Sequence, residues 1–362
     1  MRLVLRVIFT LIVSKAIWAK PFTVGNATCL NNTAVCTSLL GSINQQLKDV
    51  ENLVNKNLPD VDAKRFAQGM GNAMALATKG QMVDYGSNIK FGLLGVGAGV
   101  AMDPGEGRPF AQGKHLPAGF GGQASLLLGF NLGLLPLPKI GPVDPKRGIL
   151  FFNFFAANLP KIPTQELDYE GSVFNLGAHV RYNIVERYSV AFGLFEWTGI
   201  DVTSGLNYSS FDLTLKYKVN EAFDYDLGSG SSMKGTYATT FRLGPDIGVF
   251  NIPLEASTGV KFLWIFRVYG GLGLDFNLGS SEIALRAPGE LKADIYQGTT
   301  KVDEIQAPTT LNLGGTSSPD FLVLRGFGGV QLDFAVLNIF LQYNLGFTSN
   351  TYGITYGLRA YF

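Results

Sequence analysis

The sequence has few of the residues from which most active sites and metal centres are built. Only two cysteines and two histidines occur among 362 residues. The histidines, His115 and His179, lie in different segments, and neither has a nucleophile or a cluster of metal ligands near it in the sequence. The glycine-rich stretches contain no phosphate-loop motif and precede no helical pattern. We therefore expect no enzymatic activity, no cofactor and no metal.

Charge and long apolar runs are also scarce. Charged residues make up 16% of the chain and the net charge is +1, so nothing indicates a nucleic-acid partner. No run approaches the roughly 20 apolar residues that a membrane-spanning helix needs. Nevertheless 46% of the residues are hydrophobic, 45 are glycines and the mean hydropathy is positive. Apolar surface must therefore face something other than water.

The N-terminus has the pattern of an export signal. Arg2 and Arg6 give a basic start, residues 7–13 are apolar, and Ala16 and Ala19 are small residues suited to cleavage. We predict a signal peptide over residues 1–19, with the cut after Ala16 or Ala19 left open. In an oxidising compartment, Cys29 and Cys36 are then expected to form a disulfide rather than a lipid anchor or a metal site.

Residues 20–87 differ from the rest of the chain. Leu40, Ile43 and Leu47 follow helical spacing, and a stripe of small residues that includes Ala63 and Ala67 marks a second helix after Pro59. We predict a helical hairpin over residues 20–87. It either packs on itself or forms a plug inside, or a cap under, the domain that follows.

From residue 88 onward the apolar period changes to two, which is typical of strands. The segment Leu337 to Thr348 alternates most cleanly, and three other segments behave in the same way. Because these segments are longer than strands of globular proteins and carry charge on one face, they favour membrane strands over a soluble sandwich. The polar residues expected to face the lumen of a barrel are His179, Arg181, Lys216, Lys218, Asp275 and Gln342.

We therefore predict an all-β membrane barrel, antiparallel, over residues 88–362. Thirteen candidate segments, corrected to an even number, give 12 or 14 strands. Short turns are expected near Gly205, Asn251, Ser280 and Ala335. The Gly-, Ser- and Thr-rich stretches 221–234 and 298–319 are expected to form mobile external loops.

The last strand resembles that of bacterial outer-membrane barrels. Ile354, Tyr356, Leu358 and the terminal Phe362 alternate on one face, whereas Ala360 departs from the large residue common at its position. The resemblance implies insertion into outer-membrane lipid by the barrel-insertion machinery, with Phe362 at the periplasmic end.

The whole chain resembles the leptospiral family of outer-membrane surface adhesins in its signal, its cysteine pair, its helical segment and its Gly-rich strands. This implies a surface-exposed protein of the bacterial outer membrane that binds extracellular-matrix proteins or plasminogen, and it transfers no individual site residue. The layout is also similar to fatty-acid transporter barrels. That similarity implies the alternative of a porin-like channel for hydrophobic or small polar solutes, closed by an N-terminal plug.

Overall fold

A computed structural model describes residues 22–57, 62–105, 118–139, 141, 144–159, 167–190, 194–228 and 230–362. The predicted signal peptide and His115 lie outside these residues. Two α-helices are present, α1 (Ala34–Asn57) and α2 (Ala63–Ala77). Asp62 caps α2, because its carboxylate accepts a hydrogen bond from the Arg65 backbone N–H at 2.8 Å. No described helix is long and apolar enough to cross a membrane.

Fourteen strands of the described residues form one antiparallel sheet. They are β1 (Phe22–Val24), β2 (Thr28–Cys29), β3 (Gly92–Asp103), β4 (Gly119–Asn131), β5 (Gly148–Leu159), β6 (Leu167–Val185), β7 (Tyr188–Val190), β8 (Phe195–Gly228), β9 (Ser231–Phe262), β10 (Phe266–Gln297), β11 (Thr300–Ser317), β12 (Leu322–Phe334), β13 (Leu337–Gly346) and β14 (Thr351–Tyr361).

The pairing closes into a ring. β14 pairs with β3, and the ring continues through β4, β5, β6, β8, β9, β10, β12 and β13 back to β14. The remaining four strands attach to members of this ring. Closure leaves the ring with no free edge. A sheet in lipid must have none, because no water is present there to bond unpaired backbone groups. The predicted class, an all-β antiparallel barrel of 12 or 14 strands, is confirmed by the 14-stranded sheet, of which ten strands close the ring.

The ring presents apolar side chains outward and polar ones inward. On β13, Leu337, Ile339 and Leu341 are about half exposed, while Asn338 and Gln342 are fully buried. This alternation is opposite to that of a soluble protein, whose apolar face is buried. It is stable only if hydrocarbon surrounds the ring.

Three strands extend far beyond the ring. β8, β9 and β10 contain 34, 32 and 32 residues, whereas about 9–11 cross a membrane. β12 pairs with β10 only as far as Phe276, and from Ser281 onward β11 takes its place. Residues 211–228, 231–248, 281–297 and 300–317 therefore form a four-stranded extension, which we call the platform.

The platform corrects several predictions. The turns expected near Gly205, Asn251 and Ser280 are absent, and residues 221–234 and 298–319 are mainly paired strands rather than mobile loops. At each false turn the apolar positions change parity: on β8, Leu206 and Tyr208 face outward within the ring, whereas Phe211 packs inward beyond it. The strand continues there without a turn and passes from lipid into water.

The N-terminal arm, residues 22–57, packs on the platform. β1 and β2 pair with the outer edge of β11, and α1 lies over the inner face. Ile43 and Leu47 of α1 join Met233, Ile295 and Ile305 of the platform in one apolar cluster. Cys29 and Cys36 form a disulfide that ties β2 to α1. The arm thereby covers an exposed sheet edge.

The two ends of the barrel differ. Phe362, the β12–β13 turn at Ala335 and the β9–β10 turn lie together at one end, where the Tyr361 N–H donates to Val336 and the Asp333 N–H donates to Ile265. We call this the Phe362 end. The platform and the arm lie at the opposite end.

Candidate functional site in the barrel interior and on the platform

Residues 63–91, which we call the central segment, run through the ring from the platform end to the Phe362 end. Near the platform, Arg65 makes two hydrogen bonds of 3.0 Å to Asp103 at the end of β3. At the other end, Gly92 begins β3 and bonds to Phe362. Nearly every side chain from Ala73 to Ile89 is buried. The two predicted hairpin helices thus pack in different places, α1 on the platform and α2 inside the ring.

Glycines of the wall let α2 approach closely. A Cβ on Gly99 would lie 2.1 Å from the Ala77 carbonyl oxygen, and one on Gly121 would lie 2.6 Å from the Met74 nitrogen. Both distances are shorter than real contacts. A side chain at either position would push the helix away from the wall.

A buried charge cluster fixes the middle of the central segment. Lys79 donates to Asp275 at 2.8 Å, and Arg325 of β12 donates to the other oxygen of the same carboxylate at 2.8 Å. Arg325 also pairs with Glu255, which accepts from the Tyr85 hydroxyl at 2.8 Å. Each charge has an opposite partner, as burial in the interior requires.

A second cluster surrounds Asp84 near the Phe362 end. The Tyr361 hydroxyl donates to its carboxylate at 2.7 Å, and Arg181 and Arg359 lie 3.8 and 3.6 Å from it. The arginines also donate to backbone carbonyls of the segment, for example Arg359 to Gly80 at 2.7 Å. Arg187 and Arg267 contribute further hydrogen bonds to Ser87. The Asp84 carboxylate therefore interacts with guanidinium groups from different strands.

Four of the residues predicted to face the lumen lie inside the ring. Arg181 and Asp275 belong to the two clusters, and Gln342 accepts from the Tyr269 hydroxyl at 3.1 Å. His179 is buried, and neither ring nitrogen has a hydrogen-bond partner in the described part of the chain. The imidazole is therefore not hydrogen-bonded to a nucleophile among the described residues.

Lys216 and Lys218 do not face the lumen, so their predicted position is wrong. Lys216 pairs with Glu170 at 2.8 Å on the outer face of the platform, and Lys218 is exposed on the same face. Both follow Phe211, beyond the point where the apolar parity of β8 changes. Ile354, Tyr356, Leu358 and Phe362 are exposed on the lipid-facing side of the barrel.

Sequence reasoning missed the residues that join the central segment to the wall. Arg325 and Glu255 are buried inward positions of strands, and Lys79 and Asp84 follow α2 directly. Alternation within β12 places Arg325 inward, and this signal could have identified it. Nothing in the sequence pairs it with Asp275, because the two residues are 50 positions apart.

On the platform, Asp303 fastens the arm. Its carboxylate accepts hydrogen bonds from the Asn31 and Thr33 backbone N–H groups at 3.0 and 2.9 Å and from the Thr33 hydroxyl at 2.8 Å. Burial alone would raise the pKa of Asp303, but the N–H groups of Thr33, Glu304 and Asn31 stabilise the charged form and hold the pKa well below its ordinary range.

Asp303 also lies with Cys29 and Cys36 in a group whose ligand-type atoms are within 4.8 Å of one another. The disulfide removes both thiolates, which are the species that bind metals. The group therefore fits a structural role in holding the arm.

Several solved structures match the chain at low similarity. The CymD monoaromatic hydrocarbon channel is 12% identical, with 83% of this chain and 97% of that chain covered and a TM-score of 0.24. The translocator domain of the autotransporter NalP from Neisseria meningitidis is 9% identical over 77% and 90%, with a TM-score of 0.27. The toluene transporter TbuX of Ralstonia pickettii is 9% identical over 83% and 98%, with a TM-score of 0.25.

No curated protein sequence is significantly similar to the chain. One family model, described as Lsa36-like, matches residues 24–362, which include all but the first two residues of the arm, the central segment and the whole barrel. The protein is an integral β-barrel of the bacterial outer membrane and belongs to the Lsa36-like family.

Proposed function

We propose that the protein is a surface adhesin that binds host extracellular-matrix or plasma proteins through its platform. The observation that carries this proposal is the platform itself, in which β8, β9 and β10 continue for about 17 residues beyond the ring and are joined by β11 and the arm. Placing Phe362 in the periplasm, as the resemblance of the last strand implies, puts the platform outside the cell.

The interior supports adhesion over transport. The central segment occupies the ring from end to end, and its buried ion pairs and hydrogen bonds attach it to β6, β9, β10, β12 and β14. We infer that it acts as a plug, and that the barrel serves as an anchor. The polar groups of the interior bind the protein's own chain, and we propose no catalytic role for them.

Binding can be tested by blocking the platform tip. Thr299 lies in the exposed β10–β11 turn and Val336 in a turn at the Phe362 end. Because both native cysteines are in a disulfide, a single cysteine at either position can be coupled to a 5-kDa polyethylene glycol maleimide. The coupled Thr299→Cys protein should lose most of its binding to immobilised fibronectin or plasminogen, whereas coupled Val336→Cys should keep it. Equal binding by both proteins would contradict a platform-borne site.

The alternative function, a channel for hydrophobic or small polar solutes, requires the central segment to leave the ring. Single-channel recording in planar bilayers compares the full chain with a variant lacking residues 20–91, from which the whole central segment is removed. We expect no conductance from the full chain. Zero conductance from the variant as well would remove the channel alternative, provided that the variant is shown to be folded and inserted.

A further inference from the structure

The outer face of the platform carries a straight row of cations. Register places Lys216 of β8 opposite Arg242 of β9, and Arg242 opposite Arg286 of β10. The residues of opposite parity, such as Ile247 and Ile283, pack inward in a cluster with Met70 and Met74 of α2. The three cations therefore share the face that points away from the interior. We call Lys216, Arg242 and Arg286 the basic row.

The row is unfavourable for the protein alone. Like charges directly opposite each other on neighbouring strands, about 4.8 Å apart, destabilise a sheet, and the row contains two such pairs. Glu170 pairs with Lys216, but the contact of Glu282 with Arg286 is 3.9 Å long and exposed. Within the described residues no carboxylate pairs with Arg242. An anion between the side chains would remove the repulsion.

The lysines elsewhere on the platform are paired, as Lys216 is, so the unbalanced charge rests on Arg242 and Arg286. Lys234, Lys292 and Lys301 each lie within 3.0 Å of a carboxylate of the platform itself. Their charges are already neutralised by neighbours. The imbalance is therefore local to the basic row and does not reflect a generally cationic surface.

The neighbouring rows limit the shape of the anion. Asp212, Asp246 and Glu282 form a parallel acidic row four residues nearer the membrane, which is about 13 Å along the strand. A broad anionic surface would meet these carboxylates together with the cations. A narrow single chain laid across β8, β9 and β10 at this height would contact the three cations, and would meet Asp168 of β6 only where it passes beyond Lys216.

The height of the row above the membrane excludes two other occupants, the lipid headgroups and a second copy of the protein. Tyr208, Phe250 and Leu278 are paired and lipid-facing, and the basic row lies eight residues beyond them, about 26 Å along tilted strands, above a headgroup layer of about 5–8 Å. A second copy in the same membrane has its rows at the same height. It would set cations against cations, so it does not fit this face.

The chemistry beside the row favours a saccharide. Thr214, Thr240 and Asn312 flank the cations on the same face and offer hydroxyl and amide groups. Single-stranded nucleic acids are bound mainly by stacking on aromatic side chains. We propose that the basic row binds a linear sulfated polysaccharide, its sulfates between the guanidinium and ammonium groups. This rests on the proposed function only in placing the platform outside the cell.

The test uses the full chain in detergent and heparin immobilised on a biosensor. The variant K216Q/R242Q/R286Q removes the row. The matched control K234Q/K292Q/K301Q removes the same charge from positions that are already paired. We expect the row variant to bind heparin at least tenfold more weakly than the native protein, and the control variant less than threefold more weakly. Chemically desulfated heparin should bind none of the three proteins. Because bound cations release counterions from a linear polyanion, the slope of log affinity against log salt should fall by roughly two or more in the row variant.

Equal loss in both variants, unchanged binding in the row variant, or equal binding of desulfated heparin would overturn the proposal. Equally strong, row-dependent binding of duplex DNA or of lipopolysaccharide vesicles would overturn the polysaccharide assignment. Folding is checked by the shift of the heated and unheated protein on cold detergent gels. Fibronectin binding is measured on the same preparations. If the heparin prediction fails but fibronectin still binds and its binding is abolished by coupling at Thr299→Cys, the basic row alone is rejected. If coupling at Thr299→Cys leaves fibronectin binding unchanged, the proposed function is rejected.

Discussion

At the scale of single residues, Asp84 is the charge that holds the central segment. It lies among arginines of β6 and β14 and accepts backbone N–H groups of Gly86 and Ser87 at 2.9 and 2.8 Å. Removing one partner from a buried ionic cluster costs about 3–5 kcal/mol, because the remaining charges stay buried. Asp84→Ala should therefore lower the temperature at which the folded band converts to the unfolded band on detergent gels.

The control for Asp84 is Asp224→Ala. Asp224 pairs with Lys234 at 3.0 Å, but both side chains are more than half exposed, and such pairs contribute about 1 kcal/mol or less. Its conversion temperature should stay close to that of the native protein. Equal shifts in the two variants would mean that Asp84 is not the anchor described.

Asp303 gives the docking of the arm a dependence on pH. Its carboxyl has a lowered pKa in the folded state, so its stabilisation is complete above the unfolded-state pKa of about 3.9 and is lost as the pH falls below that value. Hydrogen exchange at residues 28–40, corrected for intrinsic rates, should be slow at pH 7 and pH 5 and should rise below about pH 4.

Two variants test this assignment. Asp303→Asn should exchange faster than the native protein at pH 7 and pH 5, approach the native rate at the lowest pH, and lose most of the pH dependence. Asp294→Asn, which breaks an exposed pair with Lys301, should retain the native profile. A native profile in Asp303→Asn would place the dependence in another group.

At the scale of elements, the position of α2 depends on glycines of the wall. Gly99→Val places a side chain against the Ala77 carbonyl and should destabilise the barrel by about 1–3 kcal/mol through overpacking. Gly122 faces outward, and its nearest neighbour would be 3.9 Å from a new Cβ. Gly122→Val should therefore be close to neutral in the same thermal assay. A neutral Gly99→Val would show that the helix does not rest on β3.

The sequence was informative where one environment persists along a strand. β13 and β14 remain in the membrane for their whole length, so Leu341 and Tyr356 were correctly assigned to one face. β8 passes from lipid into water, and its apolar residues change face between Tyr208 and Phe211. In sequence, a change of apolar parity within a continuous strand cannot be distinguished from a turn, so the alternation wrongly predicts Lys216 in the lumen.

The pairing of residues distant in the chain cannot be predicted from the sequence for another reason. β11 is rich in Thr, Gly and Pro, residues typical of loops, and it forms a strand because β10 on one side and β1 on the other supply hydrogen-bond partners. The contact between Asn31 and Asp303 joins positions 272 residues apart. Local propensity carries no information about such partners, and tertiary pairing overrides it.

At the scale of the whole molecule, the course of the chain predicts where its N-terminal arm is exposed. α1 packs on the platform, whereas the central segment ends at the Phe362 end, so the chain crosses the full barrel once before its first ring strand. The arm and the platform tip must then lie on one side of the membrane and the β12–β13 turn on the other. Single cysteines at Ser42, Thr299 and Val336 report these positions, because all three are exposed.

A 5-kDa polyethylene glycol maleimide, too large to cross the outer membrane, should couple to Ser42→Cys and Thr299→Cys on intact cells. Val336→Cys should react only after the outer membrane is permeabilised. Labelling of Thr299 without Ser42 would mean that the arm stays behind and that the central segment does not thread the barrel in cells. Labelling of Val336 alone would reverse the orientation and place the platform in the periplasm, where it could not meet a host protein. Coupling at both Ser42 and Thr299 requires that the arm, which precedes α2, has crossed the membrane through the same ring that encloses the central segment.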